Sequence, residues 1–145
     1  MNFGDGPGAL YLIDTSALSR LHVPVVQEVI SAILVEKIAA TCATIDLEIG
    51  YSSRNTAELR DTNQFRRTQY RNLELTESIA QRARDVQVQM AASGLHRAAG
   101  VIDLLTAAVA AHYRAVILHY DADFEHIAAV TGQQHLWIAP RGTLV

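Results

Sequence analysis

The stretch VILHYDADFEH, residues 116–126, passes from a run of apolar residues into two aspartates within three positions. AVILHY (115–120) has the length and β-branched content of a buried strand. DFEHIAAVTG (123–132) takes up helical spacing at once and is closed by Gly132. A strand feeding straight into a helix is the building unit of an α/β domain. Asp121 and Asp123 fall on the turn between the two elements, so the question is what two acids do at the end of a buried strand.

Outward from this stretch the same alternation recurs. ALYLID (9–14) reads as a short buried strand followed by helical spacing through TSALSRL. Residues 23–38 carry apolar rows at Val25, Val29, Ile33 and at Val26, Ile30, Leu34, with Pro24 near the helix start. ATCA (40–43) is a brief strand candidate, and Thr44 is placed to cap the helix IDLEIGYSS. Residues 56–72 read as a polar, arginine-bearing helix. Thr76 is placed to cap the helix 77–93, which has Ile79, Ala83, Val86 and Met90 on one face and Gly94 just past its end. GVIDLLTAAVAAHY (100–113) is helical and HLWIA (135–139) is a last strand. Strands separated by helices pair in parallel through right-handed crossovers and are covered on both faces. The expected architecture is therefore a three-layer α/β/α domain with a mainly parallel central sheet.

Composition sets bounds on what such a domain does. Of 145 residues half are hydrophobic and 19% are charged, as in a globular chain rather than a disordered one. Residues 1–8 read as a loose Gly-rich tail ahead of one domain over 9–145. The lone Cys42 forms no internal disulfide, no signal peptide is recognisable at MNFGDGPG, and no apolar run reaches membrane length. These features lead to the expectation of a soluble cytoplasmic protein. GDGPG precedes the first strand instead of joining strand to helix, which makes it a poor match to a phosphate-binding glycine loop.

The acids then fall into place. Asp14 ends the first strand, Asp121 and Asp123 follow the strand 115–120, Glu48 lies one turn into its helix, and Asp103 lies in the first turn of the helix from 100. In an open parallel sheet, sites form beyond the carboxyl ends of the strands, and all five acids are expected near that edge. Taken singly, Asp14, Asp103 and Asp121 are also suited to capping helices. Glu48, with Ile45, Ile49 and Tyr51 as helical neighbours, is expected on a largely apolar face, where an unpaired carboxylate is costly. Two carboxylates ~4 Å apart repel by roughly 4 kcal/mol at an effective dielectric of 20. A multivalent cation offsets that economically, and oxygen-only ligands select a hard ion such as Mg²⁺ or Mn²⁺. His112, His119 and His126 are seven apart but fall on different elements, so they share no face; His22, His96 and His135 read as surface or core residues.

YLIDTSAL (11–18), TIDLEIGYS (44–52), GVIDLLTAAVA (100–110) and VILHYDADFEHIA (116–128), in this order and spacing, resemble the PIN-domain ribonucleases, and among them the VapC-type toxins of toxin–antitoxin pairs. The resemblance runs from about residue 9 to residue 140. It implies a PIN-like domain and a metal-dependent endoribonuclease that inhibits translation and growth. It implies metal-site and catalytic roles for Asp14, Glu48, Asp103 and Asp121, with Asp123 a fifth metal-site acid. It further implies a VapB-type antitoxin partner, a structured RNA substrate such as tRNA or rRNA, and a homodimer. Thr15 and Ser16 match the family's polar pair and are placed to supply hydroxyls. The family commonly has Thr or Ser where His119 stands. Two positions before Asp121 on the same strand, His119 is expected to lean toward the acids and to be charged near neutrality beside them, with three roles open to it: a hydrogen bond that orients Asp121, packing at the strand end, or proton donation to the leaving oxygen.

The chemistry such a set supports is hydrolysis, with a carboxylate-held ion acidifying a water that attacks the phosphate in line. Water as nucleophile implies 5′-phosphate and 3′-OH products. Net charge is −3, yet without the five site acids ten acids face twelve basic residues. Arg54, Arg60, Arg66, Arg67 and Arg71 concentrate in one segment, a stripe able to contact phosphates or to serve simply as a solvated face. The alternative reading is a non-catalytic PIN-like domain that binds RNA or a partner. A receiver-like domain would want a lysine after a late strand, whereas Lys37 is early; an Asp-nucleophile phosphatase would want D-x-D-G-T, which DTSAL does not supply.

Overall fold

The computed structural model describes residues 9–144, so the tail read over residues 1–8 lies outside the described residues. Five strands form one sheet, all parallel, in the order β3-β2-β1-β4-β5. They are β1 (Tyr11–Ile13), β2 (Ala39–Thr41), β3 (Arg71–Asn72), β4 (Val116–His119) and β5 (His135–Trp137). Between them run α1 (Thr15–Leu18), α2 (Pro24–Val35), α3 (Ala43–Tyr51), α4 (Thr56–Gln69), α5 (Glu77–Ala92), α6 (Val101–Tyr113) and α7 (Asp123–Thr131).

Strand alternation divides the core into two layers. Leu12 and Ile117 face one way, into a cluster with Ile79 and Met90 of α5, Leu104 and Ala108 of α6, and Phe124 and Ile127 of α7. Tyr11, Ile13 and Leu118 face the other way, against Ala17 of α1 and Val26, Ile30 and Ile33 of α2. The expected three-layer, parallel architecture is thus the one found. The buried face of α2 is Val26, Ile30 and Ile33, drawn from both apolar rows, while Val25 is exposed.

Two local expectations are corrected. The polar helix stops at Gln69, and Arg71–Asn72 then add a two-residue edge strand beside β2. Both residues are exposed, so nothing in their hydropathy marks a strand. At α3 the N-cap position is Cys42, and Thr44 lies within the helix, buried, with its hydroxyl 2.9 Å from that of Thr106 in α6. Thr76 does cap α5, accepting from the Ile79 amide at 3.3 Å. Gly94 and Gly132 end α5 and α7 with positive φ, where a side chain would strain the backbone.

Candidate metal centre

The central strands β1 and β4 end side by side, and the chain leaves each of them through an acid. Asp14 caps α1, its Oδ2 accepting from the Ser16 amide at 3.0 Å. Its other oxygen, Oδ1, is buried and has no hydrogen-bond partner among the described residues. Asp121 follows β4, and its Oδ1 accepts from the Asp123 amide at 3.0 Å. Asp123 opens α7, and its Oδ2 accepts from the Gly100 amide at 3.0 Å, which draws the start of α6 toward the start of α7. Asp103, one turn into α6, completes the group: single oxygens of Asp103, Asp121 and Asp123 all lie within 4.8 Å of one another. A Cβ on Gly100 would stand 3.4 Å from Asp103 Oδ2, so the bare backbone keeps the approach to these oxygens open.

Glu48 reaches the cluster from α3. Its Oε1 accepts from the Thr15 hydroxyl at 3.1 Å, and Asp14 and Asp121 both act on its charge. Its surroundings correct the expectation of an apolar face, since Ile45 is buried but Tyr51 is 93% exposed. Ser16 joins the two strand ends by accepting from the Tyr120 amide at 2.9 Å. The Thr15 hydroxyl thus meets an acid of the group, and the Ser16 hydroxyl meets the backbone at the end of β4.

The electrostatics follow from this crowding. Burial pushes the Asp14 carboxyl above its ordinary value, against the lowering effect of the Ser16 hydrogen bonds, and Asp121 adds to the rise. Burial likewise raises Glu48, opposed by the Thr15 bond and assisted by Asp14 and Asp121. Asp103 is raised furthest, to about 8, by burial first and then by its hydrogen bond with Asp123 and the charges of Asp14, Asp121 and Asp123. At 4.8 Å two carboxylates repel by about 3.5 kcal/mol at an effective dielectric of 20. Among the described residues none of the five acids is paired with Lys, Arg or His. A buried carboxylate oxygen without a donor and three converging oxygens fit a hard divalent cation, Mg²⁺ or Mn²⁺, bound through carboxylates and water.

His119 departs from expectation. Its ring is buried among Phe124, His135 and Trp137, with centroids 5.0, 5.0 and 4.9 Å away. Nδ1 accepts from the Asp121 amide at 3.0 Å and Nε2 lies 2.8 Å from Nδ1 of His135. Burial, aided by His135, pushes its pKa down to about 3, so the ring is neutral and not charged near neutrality. The acids do not control it because its hydrogen bonds go to an amide and another imidazole instead of a carboxylate. His135 had no distinguishing mark in the sequence, and its pairing depends on the register of β5 beside β4.

The arginine segment divides. Arg66 is buried, its Nε 2.9 Å from Asp46 Oδ1, its NH2 2.6 Å from the Thr41 hydroxyl, and its guanidinium 4.4 Å over the Tyr70 ring. It therefore leaves the expected RNA-facing set. Arg54 is ion-paired with Glu58 at 3.0 Å and exposed. Arg60, Arg67 and Arg71 are exposed and carry no ion pair with a described residue.

Residues 11–130 match the PIN domain family. The chain is 40% identical over 134 residues to "Ribonuclease VapC51" of Mycobacterium tuberculosis strain H37Rv, covering 92% of this chain and 96% of that protein. It is 35% identical over 133 residues to "Ribonuclease VapC21" of the same organism, with the same coverage. Among solved structures its fold resembles that of a chain in VapBC2 from Rickettsia felis bound to a promoter DNA fragment. There the TM-score is 0.72 at 13% identity, covering 88% of this chain and 98% of that one. A chain of VapBC-1 from nontypeable Haemophilus influenzae gives a TM-score of 0.71 at 18% identity, covering 89% and 98%.

Proposed function

The chain belongs to the PIN-domain family, as an endoribonuclease of the VapC toxin type, and on that premise we propose that its cluster of five acids binds Mg²⁺ to hydrolyse a structured RNA such as a tRNA or rRNA, so arresting translation. The observation that carries this reading is the buried, donorless oxygen of Asp14 beside the converging carboxylates of Asp103, Asp121 and Asp123. A divalent ion there supplies Lewis acidity and an acidified water, with Mn²⁺ a substitute.

The protein's own groups do the rest. Asp14, Asp103, Asp121 and Asp123 offer the ligand oxygens, and Glu48, tethered by Thr15, is placed to orient a water or accept its proton. Ser16 fixes the end of β4 against the start of α1, holding the Asp14 and Asp121 segments together. The open backbone at Gly100 leaves room for a phosphate to approach. His119, buried and neutral, has its two ring nitrogens engaged by the Asp121 amide and His135 and is not a general acid for a leaving oxygen. Arg54, Arg60, Arg67 and Arg71 supply exposed positive charge for the phosphate backbone.

The partner reading is a VapB-type antitoxin and a homodimer, in the cytoplasm. It is supported by fold likeness to chains of VapBC structures and by a cluster of acids without a basic partner among the described residues, which suits an inhibitor's arginine or lysine. No helix among the described residues is long and apolar enough to cross a membrane. Purified protein should cut structured RNA with Mg²⁺ or Mn²⁺, leaving 5′-phosphate and 3′-OH ends, and stop in EDTA. Cleavage that persists in excess chelator overturns the reading. Expression alone should arrest growth, and co-expression of a small partner encoded alongside should relieve it.

A further inference from the structure

The end of β4 is held by a chain of hydrogen bonds that starts outside the acid cluster. The Asp121 amide donates to His119 Nδ1 at 3.0 Å, and His119 Nε2 lies 2.8 Å from His135 Nδ1. An amide N–H is an obligatory donor, so Nδ1 of His119 carries no proton here. The neutral ring then keeps its hydrogen on Nε2, which donates to Nδ1 of His135. By accepting that hydrogen, His135 reinforces the one tautomer of His119 that can hold the Asp121 amide.

That amide matters because of where its residue stands. Asp121 is one of three acids whose oxygens converge, and its own Oδ1 holds the next turn by accepting from the Asp123 amide at 3.0 Å. An acceptor on residue i that binds the N–H of i+2 is the arrangement Asn and Asp side chains make in turns. His119 makes it with a buried ring packed against Phe124 and Trp137. We infer that His119 and His135 act together as positioning residues, a tautomer-fixed pair that sets the Asp121 backbone and through it the metal-binding arrangement of Asp121 and Asp123. The inference rests on the metal-dependent nuclease reading and assigns His135 a role in it.

The test uses the full-length chain and Mn²⁺ binding by calorimetry, beside RNA cleavage. His119→Phe keeps an aromatic ring but removes the acceptor; His119→Asn restores an acceptor for the i+2 amide while losing the ring. His119→Phe should weaken Mn²⁺ binding about 10-fold or more, the usual effect of losing a group that orients a metal ligand. His119→Asn should stay within about 3-fold of the unmutated protein if its amide oxygen restores the bond. His135→Leu, which removes the acceptor of the Nε2 hydrogen, should fall between them. In the unmutated metal-free protein, long-range ¹H–¹⁵N spectra should show His119 protonated on Nε2 alone, and hydrogen exchange should show a protected Asp121 amide. That measurement decides the matter even if the Phe variant does not fold. Equal Mn²⁺ affinity in folded His119→Phe, or a proton on Nδ1, overturns the pair. Failure of the unmutated protein to bind Mn²⁺ or cut RNA would instead overturn the nuclease reading beneath it.

Discussion

Two charged clusters stand at the carboxyl edge of the same sheet, and they solve opposite problems. Beyond β2, Asp46 has its cation built in: Arg66 reaches it at 2.9 Å, shares the Thr41 hydroxyl, and lies over Tyr70. Beyond β1 and β4, five acids crowd together with no cation of the chain paired to them among the described residues. The first cluster is complete and stabilises a helix hairpin against an edge strand. The second is incomplete, and its surplus charge is a demand for a ligand. Acid content is similar in kind at the two places; compensation is what separates structure from site.

The comparison breaks most visibly if the surplus charge is removed. Asp14→Asn, Asp103→Asn and Asp121→Asn should each lower RNA cleavage at least ~100-fold, beyond what losing a supporting group costs. Each should keep or raise the metal-free melting temperature, because each replaces a carboxyl crowded among other acids by a group that cannot ionise. Asn at position 14 also preserves the cap on Ser16. A variant that unfolds would mean the acid is structural, placing it with Asp46.

Breaking the complete cluster should do the reverse. Arg66→Leu strands the Asp46 carboxylate and should cost about 2–3 kcal/mol in denaturant unfolding, below the range for fully buried pairs because Asp46 is 35% exposed. Mn²⁺ affinity should not change. Adding Asp46→Leu should recover much of the loss, and a double mutant no better than the single would refute the pairing argument.

A smaller effect, of a few degrees in melting temperature, sharpens the electrostatic side. Folded Asp14, Glu48 and Asp103 hold their protons more tightly than the unfolded chain does. Metal-free stability from these groups is therefore present at low pH. It is lost as pH rises from the ordinary carboxylate range through the folded value of Asp103, about 8. Mn²⁺ competes with those protons, so the upward shift it causes in melting temperature should grow between pH 5.5 and 8.5. A shift independent of pH would show that the acids are already ionised without metal. Smallest of all, Arg54→Ala should leave the melting temperature unchanged, since its pairing with Glu58 is at the surface.

Much of this was legible in the sequence, for reasons that differ by element. β1 and β4 are apolar, flanked by turn residues and followed by acids, so their ends and the cluster they bring together could be read from strand length alone. Asp14, Asp103, Asp121 and Asp123 mark helix starts, which fixes them in space within a turn. Arg66 and His119 could not be read in this way. The helical period places Arg66 on α4 but does not reveal that β3 forms beside β2 and closes a buried place for its guanidinium. β3 itself, Arg71 and Asn72, has no apolar residue to announce it. The surroundings of His119 come from His135 and Trp137, whose proximity depends on the pairing of β5, a contact between residues distant in sequence. What local pattern dictates was recoverable; what a neighbouring strand's register dictates was not.

The order of the chain also sets when the enzyme begins to exist. β1 is the middle strand, yet its partner β4 is made roughly a hundred residues later, Tyr11 pairing with Val116. At the usual rates of ~5–20 residues per second, making the stretch between these two partners occupies about 5–20 s. For most of that time the emerged polypeptide contains at most Asp14, Glu48 and Asp103, and no β4 to set the last two acids beside them. Nascent chains and products broken off before residue 121 lack Asp121 and Asp123 and should be inert, so the ribosome that makes this chain is not exposed to a complete acid cluster until β4 and the turn after it have been made.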